Sequence, residues 1–367
     1  MLRALLAVLL IAWLPAPGFT QDLQSLLQEH QEDVAKPSRR TVDPVLDALS
    51  ASGLPGVPRF LERWQDKAVY VREDDGLFFY VEETGDTLTL LDLTSGDPVA
   101  TEVDPDAVVD LAEAWLPVET QDAGLTYTTP WLLRSAVSLS SDPESSAARL
   151  HRAALSAARA HEAGSTLQLG SMQTTVATAA DEQLLRGWLA GRDLPDGLEM
   201  DLELRWRIWV RLAVLGVTDR AELDAALDEE PTAVSRVEHT RAVVSLPTVE
   251  AKEFAFERFT GAVSVANYEL RAAGLGMWRE GQEELLAPYV ERYAAELPTA
   301  ARAHSGWVQA DVAEDFFPAC MVSDEAMALL APLRTSDDLP APVRRRVTDA
   351  VDELERRRAV IARFGRA

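Results

Sequence analysis

The strongest constraint on the fold is the helical spacing of apolar residues from about Asp142 to the end of the chain. In one stretch an apolar stripe and a charged face repeat at intervals of three or four residues, which is typical of an amphipathic helix. The stripe comprises Leu204, Ile208, Leu212 and Leu215. The charged face comprises Glu203, Arg207 and Arg211. Gly216 is placed to end this helix.

The same pattern continues in a series of short helices. Thr218 or Asp219 can cap the next helix, with Glu222 returning the bond. Pro231 and Pro247 occupy positions typical of a first helical turn. The last helix carries one apolar face and ends in basic residues; that face comprises Val343, Val347, Val351 and Leu354. Stacked short helices predict a mainly α fold over residues 145–367, either a HEAT-like or armadillo-like solenoid or an irregular bundle.

A different pattern precedes the helices. Between Lys67 and Val103 the runs AVYVR, LFFYVEE, TLTLLDL and PVATEV are separated by DDG, TGD and TSGD, the signals of tight hairpin turns. We expect a small antiparallel β meander of three or four strands within residues 67–115. Residues 21–66 are predicted to form short helices and linker, and residues 116–144 a linker.

The N terminus has the organisation of a signal peptide. Residues 1–20 hold one basic residue, Arg3, then an apolar run that Pro15 closes. That run is too short to span a bilayer, and no later segment is a membrane-helix candidate. We therefore expect a periplasmic or secreted protein with no transmembrane helix in the mature chain. N-terminal membrane anchoring is the alternative.

Charge and cysteine content exclude several classes of protein. The formal net charge is −25, which repels nucleic-acid phosphates, so nucleic acid is not an expected partner. Cys320 is the only cysteine, so neither an intramolecular disulfide nor a thiolate zinc cluster can form. We interpret Cys320 as a buried apolar residue rather than a reactive thiol.

No catalytic motif is found in the sequence. A zinc peptidase motif needs two histidines one helical turn apart with a glutamate beside the first, and only His161 is followed by a glutamate, Glu162, with Ser165 where the second ligand is needed. The other histidines are His30, His151, His239 and His304. We predict no catalytic residue, no metal ligand and no cofactor, and we leave the binding residues undetermined.

Three further groups admit a structural and a functional interpretation. The acidic group Asp104, Asp106 and Asp110 lacks the glycine and final glutamate of a calcium loop, so we expect a solvated turn leading into a helix. The tryptophans of the helical region are expected to be core or inter-helix residues rather than a ligand platform. They are Trp188, Trp206, Trp209, Trp278 and Trp307. The basic runs 344–346 and 356–358 are expected to be solvated helix faces rather than an anion site.

The helical region resembles the C-terminal helical domain of the aminopeptidase N family of zinc metallo-aminopeptidases. The likeness covers about residues 145–367 and is carried by five segments. They are DEQLLRGWLAG from Asp181, ELRWRIWVRLAVLG from Glu203, DEEPTAVS from Asp228, PTVEAKEFAFERF from Pro247 and QEELLAPYVERYAAELP from Gln282. The resemblance implies an α-solenoid that closes over a catalytic domain. That domain and its HExxH zinc motif are absent from this sequence, so zinc is implied only if a catalytic domain is supplied elsewhere.

A second resemblance concerns the N-terminal part. FLERWQDKAVYVREDDGLFFYVEETGDTLTLLDLTSGDPV, residues 60–99, is similar to the extracytoplasmic extension of urea ABC-transporter permeases of the branched-chain amino-acid type. The likeness covers about residues 1–115, and the permease helices of that family are absent here.

These observations support three hypotheses about function. The first is an exported, non-catalytic protein whose helical domain binds a peptide or a protein partner along a concave face. The second is an extracytoplasmic accessory module of a urea or branched-chain amino-acid type ABC transporter, with the permease as partner. The third is a part of a zinc aminopeptidase whose catalytic domain is supplied by another chain.

Overall fold

The computed structural model describes residues 23–38, 41–71, 76–84, 87–94, 96, 104–304 and 306–365. Eighteen α-helices and one three-stranded sheet lie within these ranges. The prediction of a mainly α fold with a small antiparallel β meander is confirmed. The chain divides into two compact units, residues 1–101 and residues 102–367.

The first unit consists of short helices followed by the sheet. The helices are α1 (Leu23–Glu29), α2 (Gln31–Ala35), α3 (Val42–Ser52) and α4 (Val57–Gln65). The strands are β1 (Val69–Val71), β2 (Phe78–Thr84) and β3 (Thr87–Leu91). Both strand pairs are antiparallel, with Tyr80 opposite Val69 on one side and Leu91 on the other. The fully buried ring of Phe60 belongs to the core between helices and sheet, which supplies the packing that such a small sheet requires.

All regular secondary structure in the described residues of the second unit is helical. Its first helices are α5 (Pro105–Trp115), α6 (Asp122–Ser135), α7 (Pro143–Ala160), α8 (Thr166–Thr178) and α9 (Glu182–Leu189). Next come α10 (Leu202–Val214), α11 (Arg220–Glu229), α12 (Ala233–Ser245), α13 (Val249–Phe259) and α14 (Asn267–Met277). The last are α15 (Glu283–Ala303), α16 (Val308–Asp315), α17 (Asp324–Leu330) and α18 (Ala341–Phe364). Short 3-10 segments follow α5, α6 and α17 at Leu116–Val118, Val137–Leu139 and Ala331–Thr335.

These helices form two layers. Each even-numbered helix from α6 to α16 contacts the next even-numbered helix, up to α18, and we call this set the even layer. The odd-numbered helices lie on its other side, where α13 contacts α15 and α15 contacts α17. The last helix, α18, also contacts Val137–Leu139 just after α6, so the end of the array packs next to its first helices.

Helix boundaries follow the capping residues of the sequence. Asp181, Asp201, Asp219, Thr232 and Thr248 each accept a bond from a backbone N–H of the first turn, as N-cap side chains do. The cap by Asp219 is thus confirmed, although the Glu222 carboxylate contacts Thr218 and Arg186 instead of returning a backbone bond. Pro231 and Pro247 precede the capping threonines, so they lie outside the helices and not in their first turns.

The predicted features of α10 are largely confirmed. Leu204, Ile208 and Leu212 are buried, and Gly216 follows the helix with a φ of +70°. Glu203 and Arg207 form the expected ion pair at 2.8 Å. Arg211 departs from the prediction because it turns away from that face to a backbone carbonyl of another repeat.

Two predicted boundaries are wrong. Residues 105–115 form α5 rather than part of a β-rich domain, and residues 116–144 contain α6 rather than a linker. The sequence GLTYTTPW within α6 has low helix propensity, and Pro130 interrupts its hydrogen bonds. Packing of Leu125 and a Thr129–Thr174 hydrogen bond of 3.2 Å hold this helix against α8.

Some predictions concern residues that the structure does not describe. The signal peptide over residues 1–20 and the fourth strand PVATEV at residues 98–103 both lie outside the described ranges. Within those ranges, no helix combines the length and the apolar character required to cross a membrane.

Candidate functional site

Three neighbouring helices of the even layer, α12, α14 and α16, carry exposed side chains on one face, which we call the uncovered face. On α14 Tyr268, Arg271 and Leu275 are exposed at intervals of three and four residues. Asn267 is exposed as well and Glu269 is half-buried, whereas the other residues between Tyr268 and Leu275 are buried. The neighbouring helices α12 and α16 carry further exposed or half-buried side chains on this side. At α12 they are the exposed Val234 and the half-buried pair Glu238 and Arg241, which contact each other at 3.0 Å. At α16 they are the exposed Trp307 and Glu314 and the half-buried Asp311. Apolar side chains thus stand at the N-terminal ends of the helices, with charged ones farther along.

A cationic cluster lies at the opposite, C-terminal ends of the same helices. Lys252 of α13 is fully buried, and its Nζ donates to the carbonyl oxygens of Val244 (2.8 Å) and Met277 (2.9 Å). These carbonyls belong to the last turns of α12 and α14, where the helix dipole is negative. Burial, together with the positive charge of Arg279, lowers the pKa of Lys252 to about 7.

Arg279 and Ser245 complete the junction between α12 and α14. The Arg279 guanidinium donates to Ser245 Oγ (3.1 Å from Nε, 3.0 Å from Nη2) and to the Gly276 carbonyl oxygen (3.2 Å). Ser245 Oγ in turn donates to the Arg241 carbonyl oxygen at 2.8 Å. Burial lowers the pKa of Arg279 to about 10, with the positive charges of Arg241 and Arg211 adding to the effect.

Arginine side chains also donate to backbone carbonyls near the C-terminal ends of other helices. Arg211 donates to the carbonyl oxygen of Ala179, at the end of α8, and burial lowers the pKa of Arg211 to about 10. Arg186 donates to the Val217 carbonyl oxygen at 2.8 Å, just after α10. Cations therefore satisfy carbonyl groups that the helix ends leave unpaired, which is a structural role.

Arg357 shows that the basic runs are not uniformly solvated. Its side chain is buried, and the guanidinium donates to the Ala319 carbonyl oxygen, to Ser138 Oγ (3.1 Å) and to Glu280 (2.9 Å). The prediction of a solvated face is therefore wrong for this residue. Arg356, by contrast, is exposed and pairs with Glu353 on its own helix. Arg357 lies three residues after Leu354, in line with the apolar face of α18, so helical spacing distinguishes it from Arg356 although the residue type does not.

The histidines are dispersed rather than gathered. Within the described residues, no group of three or more His, Cys, Asp or Glu side chains could hold a metal ion. His239 Nε2 lies 2.7 Å from Asp224 Oδ1, and its imidazole is buried between α11 and α12. Burial lowers the pKa of His239, and the nearby guanidinium charges act in the same direction. His151 and His304 donate to backbone carbonyls, and His161 ends α7.

The other candidate residues divide between core and surface. Cys320 is buried as predicted, and burial raises the pKa of its thiol to about 12. Asp104 caps α5, which confirms a turn leading into a helix. Trp188 and Trp206 are buried, whereas Trp307 is 67% exposed, so the core prediction is wrong for Trp307. It lies at the N-cap of α16, where no repeat covers it.

An open depression adjoins the cationic cluster but offers little chemistry. Its volume is about 430 Å³, and it is lined by Pro247, Gly281, Gln282, Glu283, Glu284 and Leu285. Since the buried cations nearby already contact backbone carbonyls, the depression presents mainly carboxylates to solvent. The uncovered face of the even layer, with its aromatic and charged side chains, is therefore the stronger candidate for binding.

Comparison with known proteins agrees with this architecture. The family model described as ERAP1-like C-terminal domain matches residues 99–356, more than two thirds of the chain. Aminopeptidase N of Streptomyces lividans is 31% identical over 211 residues, which are 57% of this chain and 25% of that protein. The chain thus spans about a quarter of the length of this curated relative. The aminopeptidase-like resemblance of the helical region is confirmed, whereas the permease-like resemblance of the N-terminal part stays a prediction.

Proposed function

The chain belongs to the family of ERAP1-like C-terminal domains, and we propose that it is an exported, non-catalytic protein whose helical unit binds a peptide or a protein partner. The observation that carries the proposal is the uncovered face of the even layer. Tyr268 and Trp307 are 77% and 67% exposed there, although a soluble helix array ordinarily turns polar residues outward. Exposed aromatic residues of this kind are enriched where proteins bind partners.

The charged groups of the helical unit favour binding over catalysis. Lys252 is fully buried and donates to carbonyl oxygens, so it does not reach a substrate in solution, and Arg279 is likewise engaged with a carbonyl oxygen. The imidazole of His239 is buried, which keeps it from a substrate in solution. Arg271 remains more than half exposed on the uncovered face and can contact a bound partner.

Binding and turnover can be measured on the same purified chain. We expect a fluorescein-labelled pool of random nonapeptides to bind, as followed by anisotropy, and the pool to remain intact by mass spectrometry. We also expect no hydrolysis of alanyl-naphthylamide, with or without added zinc. Zinc-dependent hydrolysis would show that the protein is an enzyme and would contradict a non-catalytic function. If the anisotropy does not change when the protein is added, the peptide pool does not bind and the proposal is wrong.

Export is the second part of the proposal and rests on residues 1–20. An apolar run after Arg3, closed by Pro15, is the organisation that secretion machinery processes. We expect the protein in the periplasmic or secreted fraction, with its new N terminus near Gln21. Retention of the full-length chain in the cytoplasm would contradict export without affecting the binding assay.

A second candidate function follows from the aminopeptidase N relative, of which this chain spans about a quarter. The helical unit would then form part of a zinc aminopeptidase whose catalytic domain is supplied by a separate chain. Co-expression with a truncated aminopeptidase N that lacks its helical domain tests this reading. Recovery of turnover that depends on both chains would favour it, and two chains that elute separately would not.

A further inference from the structure

The first two helices of the second unit, α5 and α6, form an antiparallel hairpin at the start of the array. Ser141, which follows α6 and its 3-10 segment, donates its backbone N–H to Asp106 Oδ1 in the first turn of α5, at 3.2 Å. At the connection between the helices, a Cβ added to Gly124 of α6 would lie 2.8 Å from Glu119 Cδ. The end of α6 therefore lies beside the start of α5, and we call the pair the terminal hairpin.

Each helix of the terminal hairpin buries one face against the array. On α5 and the 3-10 segment after it, the buried residues include Val109 and Leu116, which are two helical turns apart. On α6 they include Leu125 and Leu132, with the same spacing. All four belong to one core with Leu150 of α7, so the inner face holds the hairpin in place.

The outer face of the terminal hairpin is apolar. Half a turn away from the buried residues of α5, Leu111 and Val118 are 71% and 69% exposed. On the corresponding side of α6, Tyr127 and Trp131 are 79% and 48% exposed. The two helices thus present two apolar rows side by side, and Glu119 lies where the rows meet.

The carboxylate of Glu119 already has hydrogen-bond donors within the hairpin. It accepts from the backbone N–H groups of Thr120 (2.6 Å) and Gln121 (2.7 Å) and from Trp115 Nε1 (2.8 Å). A charged group that keeps such donors loses less free energy when it is covered than one that depends on water. This carboxylate is therefore compatible with a covered apolar face.

The size of the outer face suits an interface between proteins. Since a large aromatic side chain buries roughly 150–250 Å² when it is covered, the four exposed residues present on the order of 500 Å². One side of a stable interface buries about 800 Å². Exposed small residues beside them, Ala107, Ala114 and Pro130, can supply the remainder. The first repeat of a stacked array ordinarily has a polar outer face, so an apolar one indicates a partner.

The charges along the terminal hairpin favour a second copy as that partner. Arg134 is exposed near the end of α6, on the side of Tyr127 and Trp131, whereas Glu119 lies at the turn. A two-fold axis across the helices would bring Arg134 of each copy to Glu119 of the other. A carboxylate can accept about four hydrogen bonds, so Glu119 has room for one more.

From this geometry we propose that the terminal hairpin binds the terminal hairpin of a second copy of this chain, with the helices antiparallel across a two-fold axis. The two pairs of helices then form a four-helix contact with an apolar centre. Because two chains of net charge −25 repel each other, the contact depends on apolar burial and strengthens as salt screens the charge.

Sedimentation equilibrium of the full-length protein tests the dimer. We expect the average mass to rise from 40.2 kDa toward twice that value as the concentration passes through the micromolar range. The dissociation constant should fall several-fold between about 50 and about 500 mM NaCl. The mass of a single chain at every concentration would overturn the inference, and so would a dimer that salt dissociates.

Tyr127→Glu locates the contact, and Tyr268→Glu on α14 is its matched control. The two tyrosines are almost equally exposed, and both variants add one negative charge and a good helix former. We expect Tyr127→Glu to weaken dimerisation at least tenfold and Tyr268→Glu to leave it within about twofold of the wild type. Equal effects of the two variants would place the contact elsewhere and overturn the inference.

Arg134→Glu tests the antiparallel orientation, with Arg236→Glu on α12 as the control at another exposed arginine. We expect the dissociation constant to rise about three- to tenfold for Arg134→Glu and to stay unchanged for Arg236→Glu. A dimer strengthened by Arg134→Glu would mean that the two Arg134 side chains face each other, which contradicts the proposed arrangement.

A different occupant of the terminal hairpin would give a different pattern. If the protein stays monomeric and Tyr127→Glu abolishes its co-elution with the truncated aminopeptidase N, the face binds another protein and the inference is wrong. The nonapeptide assay does not involve the hairpin, so failure of the dimer leaves the proposed binding function standing.

Discussion

At the scale of single residues, Lys252 illustrates how a charge can be held inside a helical array. Its ammonium group donates to carbonyl oxygens at the ends of two helices, in place of a carboxylate partner. Two helix dipoles offset part of the cost of removing the charge from water. The remaining cost appears as the lowered pKa of about 7.

Lys252 should make stability depend on pH in the alkaline range. Its pKa is about 7 in the folded protein and roughly 10.4 in an unfolded chain, so the folded state holds fewer protons between these values. The contribution of Lys252 to the free energy of unfolding therefore rises with pH over this range. From pH 7 to 9.5 we expect the wild type to gain roughly 1–3 kcal/mol relative to Lys252→Met, measured by urea unfolding.

The exposed Lys36 offers the control for this effect. Lys36→Met should keep the wild-type change in unfolding free energy between pH 7 and 9.5. Parallel pH profiles for the wild type and Lys252→Met would show that burial of Lys252 does not perturb its ionisation.

Asp315, an acidic residue, should make the free energy of unfolding depend on pH in the acidic range. Burial raises its pKa to about 6, and Arg271, 4.0 Å away, offsets only part of this. Because the pKa is raised in the folded protein, the contribution of this carboxyl group to the free energy of unfolding is greatest below about pH 4 and is lost as the pH rises through 6. Asp315→Asn should therefore be more stable than the wild type at pH 8, by roughly 1–3 kcal/mol.

The gain from Asp315→Asn should disappear near pH 4, where the wild-type carboxyl is protonated. Thermal melting at pH 4 and pH 8 checks this, with Asp311→Asn on the same helix as control. A gain of the same size at both pH values would mean that packing, and not ionisation, accounts for the difference.

At the scale of helices, close packing in the even layer depends on glycines of α14. A Cβ at Gly276 would lie 2.5 Å from Val244 Cγ2 and 2.8 Å from the Arg241 carbonyl oxygen. A Cβ at Gly274 would meet the Asp315 backbone at 2.8 Å. One helix therefore approaches both neighbours through positions that carry no side chain.

Substitution at two helical glycines should have opposite signs. Gly276→Ala is expected to destabilise the protein by about 1–3 kcal/mol, because α12 must move away. Gly187 of α9 has no atom within 4 Å of an added Cβ, so Gly187→Ala should be neutral or stabilising by up to about 1 kcal/mol. Urea unfolding of both variants measures the contrast, and two variants of equal stability would refute it.

At the scale of the whole helical unit, Arg357 joins parts that are distant in sequence. It links α18 with Ser138 after α6, with Glu280 between α14 and α15, and with Ala319 after α16. The buried guanidinium therefore adds hydrogen bonds to the packing of α18 against Val137–Leu139 and bridges three other segments of the array.

Loss of this guanidinium should loosen the closure of the array. Arg357→Met is expected to cost about 2–4 kcal/mol, since a buried charge network loses its centre. Faster amide exchange should appear together in Val137–Leu139 and α18 by hydrogen–deuterium exchange mass spectrometry. The exposed Arg356→Met is the matched control, and equal exchange in both variants would exclude a closing role for Arg357.

The sequence by itself determined the class of the fold and many helix boundaries. Local signals suffice for these features: apolar residues at helical spacing, capping side chains such as Asp219, and Gly216 after α10. They depend on contacts within a few residues of the chain. The buried state of Cys320 also followed from its apolar neighbours.

Only the tertiary structure decided the candidate site and the role of each buried cation. The helix α6 forms against its propensity because α8 packs on it, and the hydrogen-bond partners of Arg357 lie on three other segments of the chain. Trp307 resembles a core residue in sequence, yet it is exposed because no repeat covers the start of α16. Each outcome depends on neighbours that are far away in the sequence, so no local pattern carries it.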